Sequence, residues 1–450
     1  MNEQLNRMND LTDTQGAGSW RQSARSALIV LTAISLLNYL DRYIVASLVN
    51  VLTQPSPGGL GLSGAQVGWL SSGFVIVYLL TSPLFGSLAD RRSRPRLIAA
   101  GVTVWAIATA AGGLAGTFAM LLAARSIVGI GEAAYGTAAP AMLADAFPKS
   151  RRGRVFAIFY AAVPLGAALG YVLGGLIEQH YGWRPAFFIA GLPGLALALL
   201  VWLLKDPPRG ANDPNLEDGG SPIRPSDGLL GTLKTYGHLF TNRAFTLPVL
   251  GYAAYTFAIG ALAFWMPDFL EKSRGLSVKE ATVEFGASFA VTGLLGTLLG
   301  GWLADRLLKR TEQAYLWVCG VSMLMAVPFL YLALVAESPG IYLAAMVFGE
   351  ILVFLPTGPV NSAVINAVAP QDRAKAMAAC ILAIHLLGDV PSPPLVGFLS
   401  DVASLEKALL MVPLAAFVCS VIWLGAAVIG GRDRGSPAAE PQRNPAKKGL

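Results

Sequence analysis

The chain has 450 residues, 54% hydrophobic and only 13% charged, with a mean hydropathy of +0.56 and a formal net charge of +6. That balance excludes a water-soluble protein of this size and requires several membrane spans rather than one. A basic excess in a membrane protein belongs on cytoplasmic loops, where it sets topology, so it implies no nucleic-acid partner.

Residues 1–26 are polar and lack the short apolar core and small-residue cleavage site of a signal peptide, so they read as a cytoplasmic segment. Apolar runs long enough to cross a bilayer follow near 27–52, 65–89, 96–117, 119–146, 154–178 and 184–204. Residues 205–243, rich in Pro, Gly, Asp and Asn, have the composition of a linker, with a candidate surface helix near 229–240. A second set of runs lies near 244–268, 281–304, 313–336, 340–368, 374–400 and 408–430, and 431–450 form a cytoplasmic tail. The predicted fold is an all-α membrane protein of twelve transmembrane helices in two pseudo-symmetric six-helix bundles, 27–204 and 244–430. Cys319, Cys380 and Cys419 all fall in predicted spans, which leaves neither a disulfide framework nor a CxxC metal site.

Charge supplies the topology. Of the 33 Lys and Arg, 26 lie on the side that holds both termini and the linker, and only 5 lie opposite. Both termini are therefore expected in the cytoplasm of a multi-pass cell-membrane protein. An internal repeat supports the two halves. Gly86-Ser-Leu-Ala-Asp90-Arg91 recurs as Gly301-Trp-Leu-Ala-Asp305-Arg306, Gly131-Glu132 as Gly349-Glu350, and Pro148 with Arg151 as Pro370 with Arg373. Duplicated six-helix halves with a central site are the build of secondary transporters.

The first span contains Asn38-Tyr-Leu-Asp41-Arg42-Tyr43. Ionisable groups at membrane depth are costly and must face protein, water or ligand, which makes Asp41 and Arg42 functional-site candidates; a fixed ion pair between helices is the plainer alternative. At ~1.5 Å per residue, Asp41 and Arg125 of the fourth span fall at one level and Glu132 about 10 Å deeper. Arg125, Gly129 and Glu132 share one helix face, and Gly129 with Gly131 permits close approach of a neighbour. Adjacent Asp41 and Arg42 point about 100° apart, so they must serve different targets, and Asn38 is placed to orient either.

These motifs resemble the major facilitator superfamily over nearly the whole chain. Gly86-Ser-Leu-Ala-Asp90-Arg91-Arg-Ser93-Arg94 looks like its cytoplasmic loop signature, with Ser93 where Gly is usual, and Arg125 through Ala133 looks like its fourth-helix motif, linked in the family to proton coupling. Gly170-Tyr171-Val-Leu-Gly174-Gly175 is similar to the fifth-helix antiporter motif, with Tyr171 replacing its proline. Within the superfamily, Asn38-Tyr-Leu-Asp41-Arg42 together with Gly131-Glu132-Ala133 most resembles the Spinster transporters, as a bacterial homologue. That resemblance implies lysophospholipid or sphingosine-phosphate-like cargo.

The expected division of labour follows from side-chain chemistry. Asp41 and Glu132 are candidate proton carriers, because a carboxylate in a low-dielectric cavity takes a proton when its cation moves away. Arg42 and Arg125 are candidates for an anionic headgroup or for pairing with those carboxylates. Asp90 can accept hydrogen bonds at a helix N-terminus and Arg94 can pair with Asp145; with Gly86 and Arg91, and with Asp305 and Arg306 in the second half, they form the conformational latch that the family resemblance implies. Glu350 is either a second cavity carboxylate or one hydrogen-bonded between helices. His385 and Asp389 share a face and are a candidate relay, near a kink expected at Pro391, Pro393 and Pro394. Tyr252, Tyr255 and Trp265 are candidates for a cargo wall or for ordinary packing.

The expected function is a proton-coupled secondary transporter working by alternating access, a monomer among membrane lipids that moves a small amphipathic anion with no cofactor and no metal. The rival readings are a multidrug/proton antiporter, an organic-anion symporter and a channel. The absence of HExxH, CxxC, GxSxG or Walker A patterns argues against an enzyme.

Overall fold

The computed structural model describes residues 2–209, 236–368 and 373–435. Among them, twelve helices are long and apolar enough to cross a membrane. The first-half spans are α1 Ala24–Ser47, α2 Gly64–Ala89, α3 Arg94–Gly112, α4 Phe118–Ala146, α5 Ile158–Tyr181 and α6 Arg184–Trp202. The second-half spans are α7 Arg243–Arg274, α8 Val278–Leu308, α9 Ala314–Val335, α10 Pro339–Asn366, α11 Ala376–Val402 and α12 Leu405–Gly431. Most of the candidate surface helix at 229–240 falls outside the described residues.

Local sequence explains where the spans start and bend. Ser63 opens α2 with a reciprocal cap to Gln66, and Thr117 caps α4 through the backbone N–H of Met120. Pro95 sits in the first turn of α3, where its missing N–H costs nothing. The kink expected in α11 takes a specific form: a five-residue π-turn, His385–Asp389, separates Arg373–Ile384 from Ser392–Val402. Pro391, Pro393 and Pro394 cannot continue the α-helical ladder, and the widened turn absorbs the mismatch.

The spans fall into two compact units that do not follow the halves of the sequence. The first gathers α1–α6 together with Phe257–Val291 and His385–Val412. Within it α1 packs on α5, α2 on α4, and α3 on both α4 and α6. The later parts of α7 and α11 are tied in by polar contacts. Ser72 donates to the Val390 carbonyl (2.5 Å), and the Trp265 indole donates to that of Pro393 (3.0 Å). Asp401 accepts from the backbone N–H groups of Gly64 (2.7 Å) and Ala65 (3.0 Å), closing on the positive end of α2. Glu271 meets Asn50, and the Tyr171 hydroxyl meets the Ala263 carbonyl. Backbones touch here: a side-chain carbon on Gly68 would lie 2.5 Å from the Pro393 carbonyl.

The second unit holds Thr292–Ile384 with the first part of α7 and the last part of α12. Here α9 packs on α10, and Trp423 donates to the Pro248 carbonyl (3.0 Å). Large apolar side chains such as Leu80, Leu199 and Leu298 stay outside both cores. In a bilayer that exposure carries no penalty, because lipid tails are as apolar as they are.

Candidate functional site

The charged residues of α1 and α4 meet inside the first unit. Asp41 is wholly buried and Arg125 and Glu132 nearly so. Arg125 Nη1 donates to Asp41 Oδ2 at 3.0 Å, as expected for two groups at one depth. Two turns further along α4, Glu132 Oε2 accepts from Arg42 Nη2 at 3.2 Å. Adjacent positions on α1 therefore serve separate partners, as 100° per residue requires. Asn38 is buried beside them.

Close helix approach makes the cluster. A side-chain carbon on Gly129 would lie 2.5 Å from the Phe74 carbonyl of α2, and one on Gly131 would lie 2.4 Å from the Gly101 carbonyl of α3. Only glycine lets α4 sit between both neighbours. The two pairs differ in exposure. In the Asp41–Arg125 pair neither side chain exceeds 2% exposure, whereas Arg42 is 28% exposed opposite a buried Glu132. Asp41 Oδ1, Glu132 Oε1, Arg42 Nε and Arg125 Nε are all buried without a hydrogen-bond partner.

Three contributors had escaped the sequence reading. Trp105 Nε1 (2.9 Å) and Thr109 Oγ1 (3.1 Å), one turn apart on α3, both donate to Asp41 Oδ2. The Phe74 ring lies beneath both guanidinium groups, 4.7 Å from that of Arg42 and 5.6 Å from that of Arg125. The available signal was the i, i+4 spacing of an indole and a hydroxyl in an apolar span, which points at a common neighbour but does not identify it.

The remaining candidates lie elsewhere. Arg94 pairs with Asp145, and also with Asp206 (2.8 Å) at the start of the linker, which the sequence reading had not singled out. The Asp90 side chain lies outside the described residues, Arg91 is exposed, and a side-chain carbon at Gly86 would meet nothing within 4 Å. In the second unit Asp305 and Arg306 are exposed, with the Arg306 guanidinium 5.4 Å over its own Trp302. Glu350 is buried and accepts from Thr292 Oγ1 of α8 (3.0 Å). His385 Nδ1 and Asp389 Oδ2 stand 2.7 Å apart across the π-turn. Tyr255 is buried between Thr357 and Trp423, Trp265 is buried with its indole on the Pro393 carbonyl, and Tyr252 is half-buried. Among the described residues no three His, Cys, Asp or Glu side chains come together as metal ligands.

Comparison with known proteins adds lineage to this geometry. The profile of the Major Facilitator Superfamily matches residues 31–388. The "Probable sphingolipid transporter spinster homolog 1" of Arabidopsis thaliana is 32% identical over 91% of this chain and 90% of its own length. "Protein spinster homolog 3" of Danio rerio is 35% identical, over 85% of this chain and 77% of its own. Among solved structures, a bacterial homologue of the human lysosomal transporter Spinster, inward-facing and unoccupied, superposes with a TM-score of 0.80. It is 24% identical and is covered over 99% of its length by 92% of this chain. A peptide transporter, POT, superposes with a TM-score of 0.71 at 18% identity, over 92% of this chain and 99% of its own.

Proposed function

We propose that this chain, which belongs to the Spinster family of the major facilitator superfamily and is a transporter rather than an enzyme, moves an amphipathic lysolipid or sphingosine-phosphate-like anion and is driven by protons. The observation that carries the reading is the pair of buried arginine–carboxylate contacts in the first unit, one of them open at the Arg42 end. A carboxylate held in low dielectric by a single arginine changes its proton occupancy when that arginine turns to another anion. In this reading Glu132 and Asp41 form the coupling site and Arg42 grips the cargo headgroup, for which a planar guanidinium has the right geometry. The name of the Arabidopsis relative, a probable sphingolipid transporter, supports an amphipathic cargo.

The two six-helix halves, 27–204 and 244–430, are the bodies that exchange access, with both termini on the cytoplasmic side. Gly86, Asp90, Arg91, Asp305 and Arg306 latch that side in the opposite state, and Arg94 with Asp145 braces it. His385 with Asp389 is a secondary relay at the π-turn. The protein works as a monomer.

Radiolabelled lysophospholipid flux into proteoliposomes, with and without a pH gradient, tests the reading. Wild type accumulates label with the gradient, while Asp41→Asn and Glu132→Gln lose gradient-driven accumulation. Unchanged accumulation in both variants removes protons from the mechanism. Displacement by lipophilic cations rather than by unlabelled lysolipid would make the protein a multidrug antiporter instead.

A further inference from the structure

The second unit contains a cavity that holds none of the residues assigned to coupling or cargo. It measures about 190 Å³ and is formed by the first turns of α7 and α9 and the last turns of α10 and α12. Successive spans alternate in direction, so these ends share one face, the one at which the chain passes from the linker into α7. The walls are braced. Asn242 Nδ2 donates to the Ala367 carbonyl (3.2 Å), which joins the start of α7 to the end of α10. The Trp423 indole on the Pro248 carbonyl (3.0 Å) joins α12 to α7. A side-chain carbon on Gly430 would lie 3.0 Å from the Gln313 amide nitrogen, so the end of α12 rests on the start of α9.

The lining is graded along the helices. Arg243 on α7 and Asn366 on α10 make the mouth polar, while Leu247 and Ala363 stand one turn deeper on the same helices, and Ala426 lies one turn in from Gly430. Ile429, at the edge, is 41% exposed and gives the cavity an apolar flank. Among the described residues nothing pairs with the Arg243 guanidinium, and exposed Lys309 and Arg310 stand just before α9. Glu312, the one carboxylate in the lining, is already engaged by another group of the chain. The balance of charge around the mouth is therefore cationic.

A cationic mouth over an apolar floor, set where spans end, matches an amphipathic anion that lies at that same level of a bilayer. Free phosphate would leave the apolar floor uncovered, and a zwitterionic headgroup would bring a cation against Arg243, Lys309 and Arg310. We propose that the cavity is a binding site for an anionic phospholipid of the surrounding membrane, with its phosphodiester on Arg243 and its glycerol and first acyl carbons against Leu247, Leu316 and Ile429. A guanidinium can give two parallel N–H groups to two phosphate oxygens, which makes Arg243 the anchoring group. Lys309 and Arg310 draw anionic lipid toward the mouth. The cargo proposed above binds at Arg42 in the first unit, so the two lipids do not compete. Because the unfolded chain has no such cavity, the bound lipid stabilises the fold by mass action. Only the choice of the cytoplasmic leaflet rests on the topology proposed above, and binding in detergent does not depend on it.

The test titrates delipidated full-length protein in a neutral detergent with phosphatidylglycerol, following melting temperature and, by native mass spectrometry, the bound lipid. Phosphatidylcholine with the same acyl chains and inorganic phosphate are the comparison ligands. Phosphatidylglycerol should raise the melting temperature at concentrations where the other two do not, and should persist as a one-to-one adduct. Arg243→Gln, at an exposed position, should leave the lipid-free melting temperature near that of wild type and weaken phosphatidylglycerol binding by about tenfold to a hundredfold, the loss of a hydrogen-bonded charge. Lysine there should recover part of the affinity. Ala363→Phe fills the floor without altering any charge and should also remove the preference for phosphatidylglycerol, whereas Arg42→Gln should retain it. Unchanged phosphatidylglycerol binding in Arg243→Gln or in a folded Ala363→Phe overturns the proposal. So does equal stabilisation by phosphatidylcholine, or the full effect from inorganic phosphate alone. Loss of the adduct in Arg42→Gln with its retention in Arg243→Gln would place the lipid in the cargo site instead. Failure of lysophospholipid flux with these binding results intact would remove the cargo reading and leave this site standing.

Discussion

Replacing Gly68 measures how tightly α2 is held against α11. A side-chain carbon there would sit 2.5 Å from both the carbonyl carbon and oxygen of Pro393 and from the Pro394 α-carbon. Backbone atoms cannot swing aside, so the two helices must separate by about 1 Å for alanine and further for valine, at a cost of about 1–3 kcal/mol for overpacking a tight contact. If that contact belongs to only one of two access states, the same energy redistributes them by about fivefold to a hundredfold. Ser392 is a suitable reporter, since it is wholly buried on the same segment of α11. The native cysteines Cys319, Cys380 and Cys419 are buried and give little background. In a Ser392→Cys protein, modification by a water-soluble maleimide should accelerate from Gly68 to Gly68→Ala to Gly68→Val, in that order and within that range. Equal rates across the series, with the melting temperature unchanged, would refute the view that this contact opens during the cycle.

Other consequences are as direct. Arg94→Met should lower the melting temperature, because it strands the carboxylates of Asp145 and Asp206; with both partners partly exposed the cost is about 1–3 kcal/mol. Lysine at that position should recover only part of it, since a single ammonium cannot serve two carboxylates and a carbonyl together. Thr292→Val should cost about 1 kcal/mol in thermal stability through its bond to Glu350 while preserving gradient-driven flux; abolished flux would bring Glu350 into the coupling site. Phe74→Leu should weaken both arginine pairs at once, reducing flux severalfold with little change in expression, and an unaltered rate would deny the ring any part beyond packing.

Helix periodicity and hydropathy are local properties, which is why the spans, the facing of Arg125 and Glu132, and the divergence of Asp41 from Arg42 were legible in the amino-acid order. So was the Arg94–Asp145 pair, whose partners end adjoining helices. Long-range choices were not. Trp105 and Thr109 look like any amphipathic residues of a span until α3 is placed against α1, more than sixty positions away in the chain. Asp401 reads as a loop-edge acid until the first turn of α2 arrives beneath it. Asp268 and Lys272 pair across one turn of α7, yet only packing tells that the carboxylate is buried while the ammonium stays wet. The π-turn was visible only as a proline-rich anomaly, because proline forbids the α-ladder without saying which alternative wins.

Phe74 and Gly68 sit on the same helix, six residues or about 9 Å apart along its axis. The ring is wedged under two cations; the glycine is pressed on the backbone of α11. Between them the helix is continuous, with Pro83 as its one interior proline, beyond both. A displacement of either guanidinium that pushes on the ring therefore pushes on a stiff rod whose other end bears on α11. In the proposed cycle, a charge rearrangement in the interior would reach the α11 contact through α2, which makes α2 the lever that joins the two.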